Sequence, residues 1–231
     1  MIDAMIFAPH PDDAELGMGA TIALLVQQGM TVMVVDMSNG EPTPYGSPEI
    51  RAREREAATA ALGLKAEQRL MLDFPNRTFE HGIEGRHKLA GVIRTHKPRW
   101  IFAPYMPDAH PDHVAATRLI EDARFDAKLT KIDLPAGPHY AERVIYYFAT
   151  HLRVHAAVSF CVVVSAAYDM KVKSLEAYQS QFYVNRSEQA GAVVEMLRIR
   201  DRYFGTRIGC MYAEPFFLHE PLGVTGLSQI I

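Results

Sequence analysis

The feature that most constrains this chain is the alternation of short apolar runs with amphipathic ones through its first half. Ile2–Ala8, Thr31–Met37, Arg69–Phe74 and Trp100–Pro104 read as strands. Ala14–Gln28, Glu49–Leu62, Glu84–His96 and Val114–Ala127 read as helices, the first two stopped by Gly29 and Gly63. Strands that alternate with helices pair in parallel through right-handed crossovers, with helices on both faces. The expected fold is therefore a Rossmann-like, three-layer α/β sandwich with a mostly parallel sheet.

The second half is less regular. Arg143–Ala149 and the Val-rich Phe160–Ser165 read as strands, Met170–Gln179 and Glu188–Tyr203 as helices, and 135–138 and 205–209 as loops. With 231 residues, 48% of them hydrophobic, one good core is expected. We read 1–231 as one domain, with residues 1–127 as the β/α core. Residues 128–231 would complete the sheet and supply subunit contacts.

Composition removes several classes of function. A net charge of -3 with 22% charged residues fits neither a disordered chain nor a basic nucleic-acid binder. Cys161 and Cys210 are the only cysteines, without a C-x-x-C pair, which suits a reducing cytoplasm better than a disulfide framework. The N-terminal apolar run is too short for a signal peptide, and the longest run, Ala156–Ala167, is too short for a membrane span.

Two acidic histidine clusters carry the chemistry. His10-Pro11-Asp12-Asp13-Ala14-Glu15 follows the first strand, and His110-Pro111-Asp112-His113 follows the fourth. Open α/β sheets bind ligands at the carboxyl ends of their strands. In a 3-2-1-4-5 strand order the first and fourth strands are neighbours, so both clusters would face one crevice. Each alone could be helix capping, with Asp12, Asp13 or Asp112 as caps and Pro111 at a first helical position. Capping does not explain three histidines beside those carboxylates on two adjacent strands, and a metal site does. Imidazole and carboxylate without thiolate suit zinc or iron(II). A catalytic zinc has three protein ligands and an open position, beside which a carboxylate that is not a ligand can take a proton from water. A metal-binding protein without turnover is the alternative from another class.

Gly17-x-Gly19 and Asp36 mimic a dinucleotide fingerprint, but Ile22 stands where the third glycine belongs, and Asp12, Asp13 and Glu15 would repel a pyrophosphate. These glycines are expected to permit close helix packing instead. Neither a Walker loop nor a G-x-S-x-G elbow occurs.

The pair of motifs resembles the PIG-L/LmbE family of zinc-dependent N-acetylglucosamine deacetylases. The likeness runs nearly the whole chain. Arg51-x-x-Glu54, Pro104-Tyr105, Tyr178-Gln179-Ser180-Gln181-Phe182, Arg202-Tyr203-Phe204-Gly205 and Tyr212-Ala213-Glu214-Pro215-Phe216 resemble the bacillithiol branch, whose members deacetylate N-acetylglucosaminyl-L-malate. The resemblance implies one Zn2+ (or Fe2+) per subunit on His10, Asp13 and His113. It further implies Asp12 as general base and His110 as general acid or oxyanion partner. Arg51 would be a substrate-binding arginine for the malyl carboxylates, with Arg53 close by as its competitor for that role. It also implies a homohexamer. Asp112 is read as a carboxylate orienting one of the histidines, and His151 as a residue able to reach the crevice. The chain departs from the family at Asn76, where many relatives have an aspartate near the sugar, and at Pro9, where Ala or Gly often precedes the histidine. The aromatics Tyr178, Phe182, Tyr183, Tyr203, Phe204, Phe216 and Phe217 are read as core or subunit-contact residues.

Overall fold

Residues buried on both faces of a strand must be apolar throughout rather than alternating, and Ile2–Ala8 meets that demand. Its Ala4, Ile6 and Ala8 enter one apolar cluster, while Met5 and Phe7 enter another on the opposite face. The computed structural model, which describes residues 2–149, 157–185 and 190–226, places this strand (β1) at the centre of one sheet. The other strands are β2 (Val32–Asp36), β3 (Arg69–Met71), β4 (Pro98–Pro104), β5 (Arg143–Tyr147), β6 (Phe160–Val163) and β7 (Ala213–Phe217). Their order is β3-β2-β1-β4-β5-β7-β6. The five strands from β3 to β5 are parallel, and β7 pairs antiparallel with both β5 and β6.

Helices α3 (Ile83–His96) and α4 (Pro111–Ala127) cover the Met5/Phe7 face, through Leu89, Ile93, Leu119 and Ile120. The other face is covered by α1 (Asp13–Gln27), which buries Ala14, Met18 and Ile22 against Ala4, Ile6 and Val34. Outside α1 lie α2 (Pro48–Ala61), α5 (Tyr168–Glu176), the single-turn α6 (Gln179–Phe182) and α7 (Ala192–Arg207). The expected three layers and the adjacency of β1 and β4 are both present.

The second half departs from the expectation in instructive places. Strand β7 was not anticipated, because Glu214 and Pro215 are poor strand residues. Its register with β5 covers only Phe216 and Phe217, so Pro215 is paired with β6 alone. The carboxylate of Glu214 is fully buried but accepts from Ala20 N, Thr21 N and Lys171 Nζ. The helix expected over Met170–Gln179 ends at Glu176, since the Tyr178 hydroxyl is drawn away to Glu15 and Arg69. His151 lies outside the described residues. No helix among the described residues is long and apolar enough to cross a membrane.

Gly17 and Gly19 do permit close packing. A Cβ on Gly17 would lie 2.2 Å from the Tyr147 ring, and one on Gly19 would lie 3.1 Å from Lys171 Cγ. Asp36, the nucleotide mimic, is instead locked by Arg69, whose Nε donates at 2.7 Å and Nη2 at 2.8 Å.

Candidate metal centre

Parallel pairing of Ile6 with Phe102 brings the carboxyl ends of β1 and β4 side by side. The two histidine clusters leave those ends together. His10 and the N-terminus of α1 come from one strand, and His110, Asp112 and His113 from the other.

Capping accounts for little of this cluster. Asp12 occupies the N-cap position of α1 but makes no side-chain cap hydrogen bond, and its φ of 109° is one that non-glycine residues rarely adopt. A backbone held in such a conformation against its preference is characteristic of functional sites. At α4 the cap is His110, whose Nδ1 accepts from Asp112 N at 3.2 Å. Pro111 alone plays the routine helix-start role considered for it.

The centre is built around Asp13. Its Oδ2 lies 3.2 Å from His10 Nδ1 and 3.2 Å from His113 Nε2, and accepts from His10 N at 2.9 Å. His10, Asp13 and His113 each offer a ligand atom within 4.8 Å of the others, and all three are buried. The far nitrogen of each ring faces another carboxylate. His10 Nε2 is 3.0 Å from Asp112 Oδ2, and His113 Nδ1 is 3.2 Å from Asp108 Oδ2. Metal-ligating histidines are oriented in this way, with one nitrogen on the ion and the other on a carboxylate or carbonyl. The donor set thus fits a divalent cation bound through His10 Nδ1, Asp13 and His113 Nε2. A second trio, His10, His110 and Asp112, is also close enough, but it would take the carboxylate that orients His10.

Electrostatics agree with a site made for positive charge. Burial disfavours a charged His10, yet Asp112 and Asp13 outweigh it and carry its pKa up to about 9. The His113 pKa rises to about 10 because Asp13 and Asp108 likewise overcome burial. Asp13 is held well below the usual carboxylate range, the histidines overriding its burial. His110 moves the other way, to about 4, through burial and the repulsion of His113 and His10. A divalent ion in place of two ring protons would keep that repulsion, so His110 stays a neutral imidazole. With Nδ1 accepting from Asp112 N, the proton of its neutral ring is assigned to Nε2.

Asp12 is 8% exposed and lies beside the trio without joining it. Its Oδ2 accepts from Arg51 Nη2 at 2.9 Å. Burial raises the Asp12 pKa to about 7, further than the Arg51 charge lowers it. A carboxyl group poised near neutrality is suited to taking and returning a proton.

Arg51, and not the exposed Arg53, reaches this region. It is 3% exposed, lies 5.3 Å from the Tyr178 ring centroid, and also donates through Nη2 to the Pro11 carbonyl. A pocket of about 290 Å³ takes in the centre, lined by His10, Asp12, Asp13, His110 and Arg51. Its lining also includes Leu16, Gly40, Thr43, Asn76, Arg77, Gln181, Phe182 and Val193.

The sequence reading missed four participants individually. Asp108 was discoverable, because a metal-binding histidine needs an outer partner and Asp108 precedes His110 by two positions. Thr43, Arg77 and Gln181 come from separate loops and helices, and nothing in their local sequence marks them. The histidine that Asp112 contacts is His10, from the other cluster.

The description "PIG-L: GlcNAc-PI de-N-acetylase" belongs to the family model that matches residues 5–124, which span both histidine clusters. Diacetylchitobiose deacetylase of Thermococcus kodakarensis is 29% identical over 222 residues, covering 89% of this chain and 79% of that protein. A probable N-acetyl-alpha-D-glucosaminyl L-malate deacetylase 2 of Bacillus cereus is 28% identical over 193 residues, covering 77% of this chain and 82% of that one. Among solved structures, the conserved protein TT1542 of Thermus thermophilus superposes with a TM-score of 0.88 at 38% identity, over 97% of this chain and 98% of that one. With the family's match and the metal-competent trio at the pocket, this chain belongs to the PIG-L de-N-acetylase family and is a hydrolase of N-acetyl amides.

Proposed function

We propose that this enzyme removes the acetyl group from an N-acetylglucosamine conjugate, with N-acetylglucosaminyl-L-malate as substrate and zinc as the metal. The observation that carries the reading is the buried His10–Asp13–His113 trio, backed by Asp112 and Asp108, with Asp12 beside it in the pocket. Zinc in such a site supplies Lewis acidity toward the amide carbonyl and toward water. Asp12 takes the proton of the attacking water and returns it toward the leaving amine. Arg51 holds Asp12 in place and keeps its carboxylate form accessible near neutral pH. His110, as a neutral ring with Nε2–H, donates to the oxygen that gains charge as the carbonyl carbon becomes tetrahedral. Leu16 and Phe182 are apolar parts of the pocket's lining.

A neutral substrate of the diacetylchitobiose kind is the second reading, favoured by the near-equal identity to the Thermococcus enzyme. In the malate reading the protein is cytoplasmic and works as a homo-oligomer, a hexamer by the family resemblance. The test is acetate release from N-acetylglucosaminyl-L-malate, diacetylchitobiose and methyl N-acetylglucosaminide, using metal-stripped protein and protein reconstituted with zinc or iron(II). The reading expects zinc-dependent release with the malate glycoside preferred. A preference for diacetylchitobiose overturns the malate assignment, and failure to cleave any of the three overturns deacetylation of glucosamine conjugates.

A further inference from the structure

An acidic aglycone needs a cation that can reach it, and the pocket has two candidates. Arg51 is the weaker. Its Nη2 is already taken by Asp12 and the Pro11 carbonyl, while Nε and Nη1, though without a hydrogen-bond partner among the described residues, are buried out of reach of an aglycone at the exposed edge of the pocket. Its guanidinium acts on the enzyme's own carboxylate. Arg77 is in the opposite condition. It lines the same pocket, its side chain is exposed, and among the described residues no carboxylate pairs with it. Its Nη2 donates to the Pro42 carbonyl at 2.7 Å, which steadies the planar head and leaves its other donors available.

The position of Arg77 is built rather than incidental. Its φ of 68° is unusual for a residue with a side chain, and its main-chain N–H donates to Asp112 Oδ2 at 2.7 Å. That same oxygen lies 3.0 Å from His10 Nε2. One carboxylate therefore fixes both a metal-ligand ring and the backbone of the exposed arginine, which sets the distance from the reacting centre to the rim.

We propose that Arg77 is the specificity-determining residue that reads a carboxylate on the aglycone, in the role the sequence suggested for Arg51. The inference rests on the deacetylase reading above. A planar guanidinium grips a carboxylate through two parallel hydrogen bonds, and holding the anion at the rim turns the acetamide toward Asp12 and His110. Arg77 does not touch the reacting atoms, so its effect falls on KM.

The experiment compares N-acetylglucosaminyl-L-malate with methyl N-acetylglucosaminide in the wild type, Arg77→Gln and Arg77→Lys. Metal content is measured in each, since the main-chain link to Asp112 survives both substitutions. Arg77→Gln is expected to lower kcat/KM for the malate glycoside by about 10–100-fold, the range for a lost charge-assisted hydrogen bond, almost wholly through KM. The methyl glycoside should change less than about twofold and the zinc content should stay at the wild-type level. Arg77→Lys should recover part of the loss, because it keeps the charge without the fork. Equal losses on both substrates, a kcat effect, or no loss on the malate glycoside overturns the assignment. If the wild type cleaves neither substrate, the deacetylase reading itself fails, which is a different result.

Discussion

Asp12 is pulled in opposite directions by burial and by Arg51, and burial wins, leaving its pKa at about 7. Asp12→Asn removes the proposed proton acceptor and leaves the three proposed ligand side chains untouched. It should retain its metal yet lose about 10²–10⁴ of its turnover, the usual contribution of a general base. Near-full activity in a zinc-replete Asp12→Asn protein would place the base elsewhere. His113→Ala should lose the metal along with the activity. Asp108→Ala and Asp112→Ala should weaken metal affinity by about 10–100-fold, as outer partners of ligating histidines do, read by competition against a chelator. The rings hold their protons up to about pH 9 and 10, so metal must displace protons to bind. Calorimetry in buffers of different ionisation enthalpy should therefore show proton release, and zinc affinity should rise with pH. The trio and Asp12 were legible because the ligand types sit in two compact clusters, each at the end of a recognisable strand. The rest of the pocket lining was not, because Asn76, Arg77 and Gln181 meet only through tertiary packing. The resemblance marked Arg51 as a candidate substrate-binding arginine but not that it already pairs with Asp12.

At the scale of the element, α1 is two helical pieces joined at Met18, whose φ of −149° is not helical. The break lies between the turn that carries Asp13 and the remainder of the helix. Glu214 closes it by accepting the N–H groups of Ala20 and Thr21, which a continuous helix would have bonded internally. Lys171, fully buried, joins Glu214 to Asp201 at 2.6 and 2.8 Å. The Asp201 pKa is lowered, Arg200 and Lys171 together overcoming its burial. A carboxylate depressed in the folded state adds stability above its unfolded pKa and loses it as pH falls through the folded value. The wild-type melting temperature should hold near neutrality and fall below about pH 4. Asp201→Asn should be less stable at pH 7, by about 3–5 kcal/mol for a broken buried pair, and should have a shallower acid limb. An acid limb unchanged in that variant would remove Asp201 from the explanation. Gly17→Ala drives a methyl group into the Tyr147 ring, an overpacking worth about 1–3 kcal/mol and visible in a urea titration. The first half was readable because doubly buried parallel strands and amphipathic helices have plain periodicities. Strand β7 was hidden because its stability comes from buried ion pairing and from β6, neither of which leaves a local pattern.

For the whole molecule, the seven aromatics singled out from sequence divide into three groups, of which one, Tyr183, Phe204 and Phe217, is half-buried. Tyr178, Phe182 and Phe216 are at most 8% exposed and belong to the apolar clusters of the single chain, so they supply no subunit surface. Tyr203 is 54% exposed. It continues a row on α7 with Met196 and Ile199, which are 45% and 64% exposed at helical spacing, and Ile208 and Met211 extend the apolar surface beyond that helix. Apolar rows of this kind on monomeric proteins are usually small, and Met and aromatic residues are enriched in interface cores. The expected state is a closed homo-oligomer that covers the outer face of α7. Multi-angle light scattering at micromolar concentration should give several times the 25.9 kDa chain mass, and Ile199→Glu should lower it by placing a charge in the contact. The substitution leaves His10, Asp13 and His113 untouched, so the variant should keep its metal. A wild-type mass of one chain would remove the oligomer. An unchanged assembly in Ile199→Glu would move the interface off α7 and onto a face of the molecule that these aromatics do not mark.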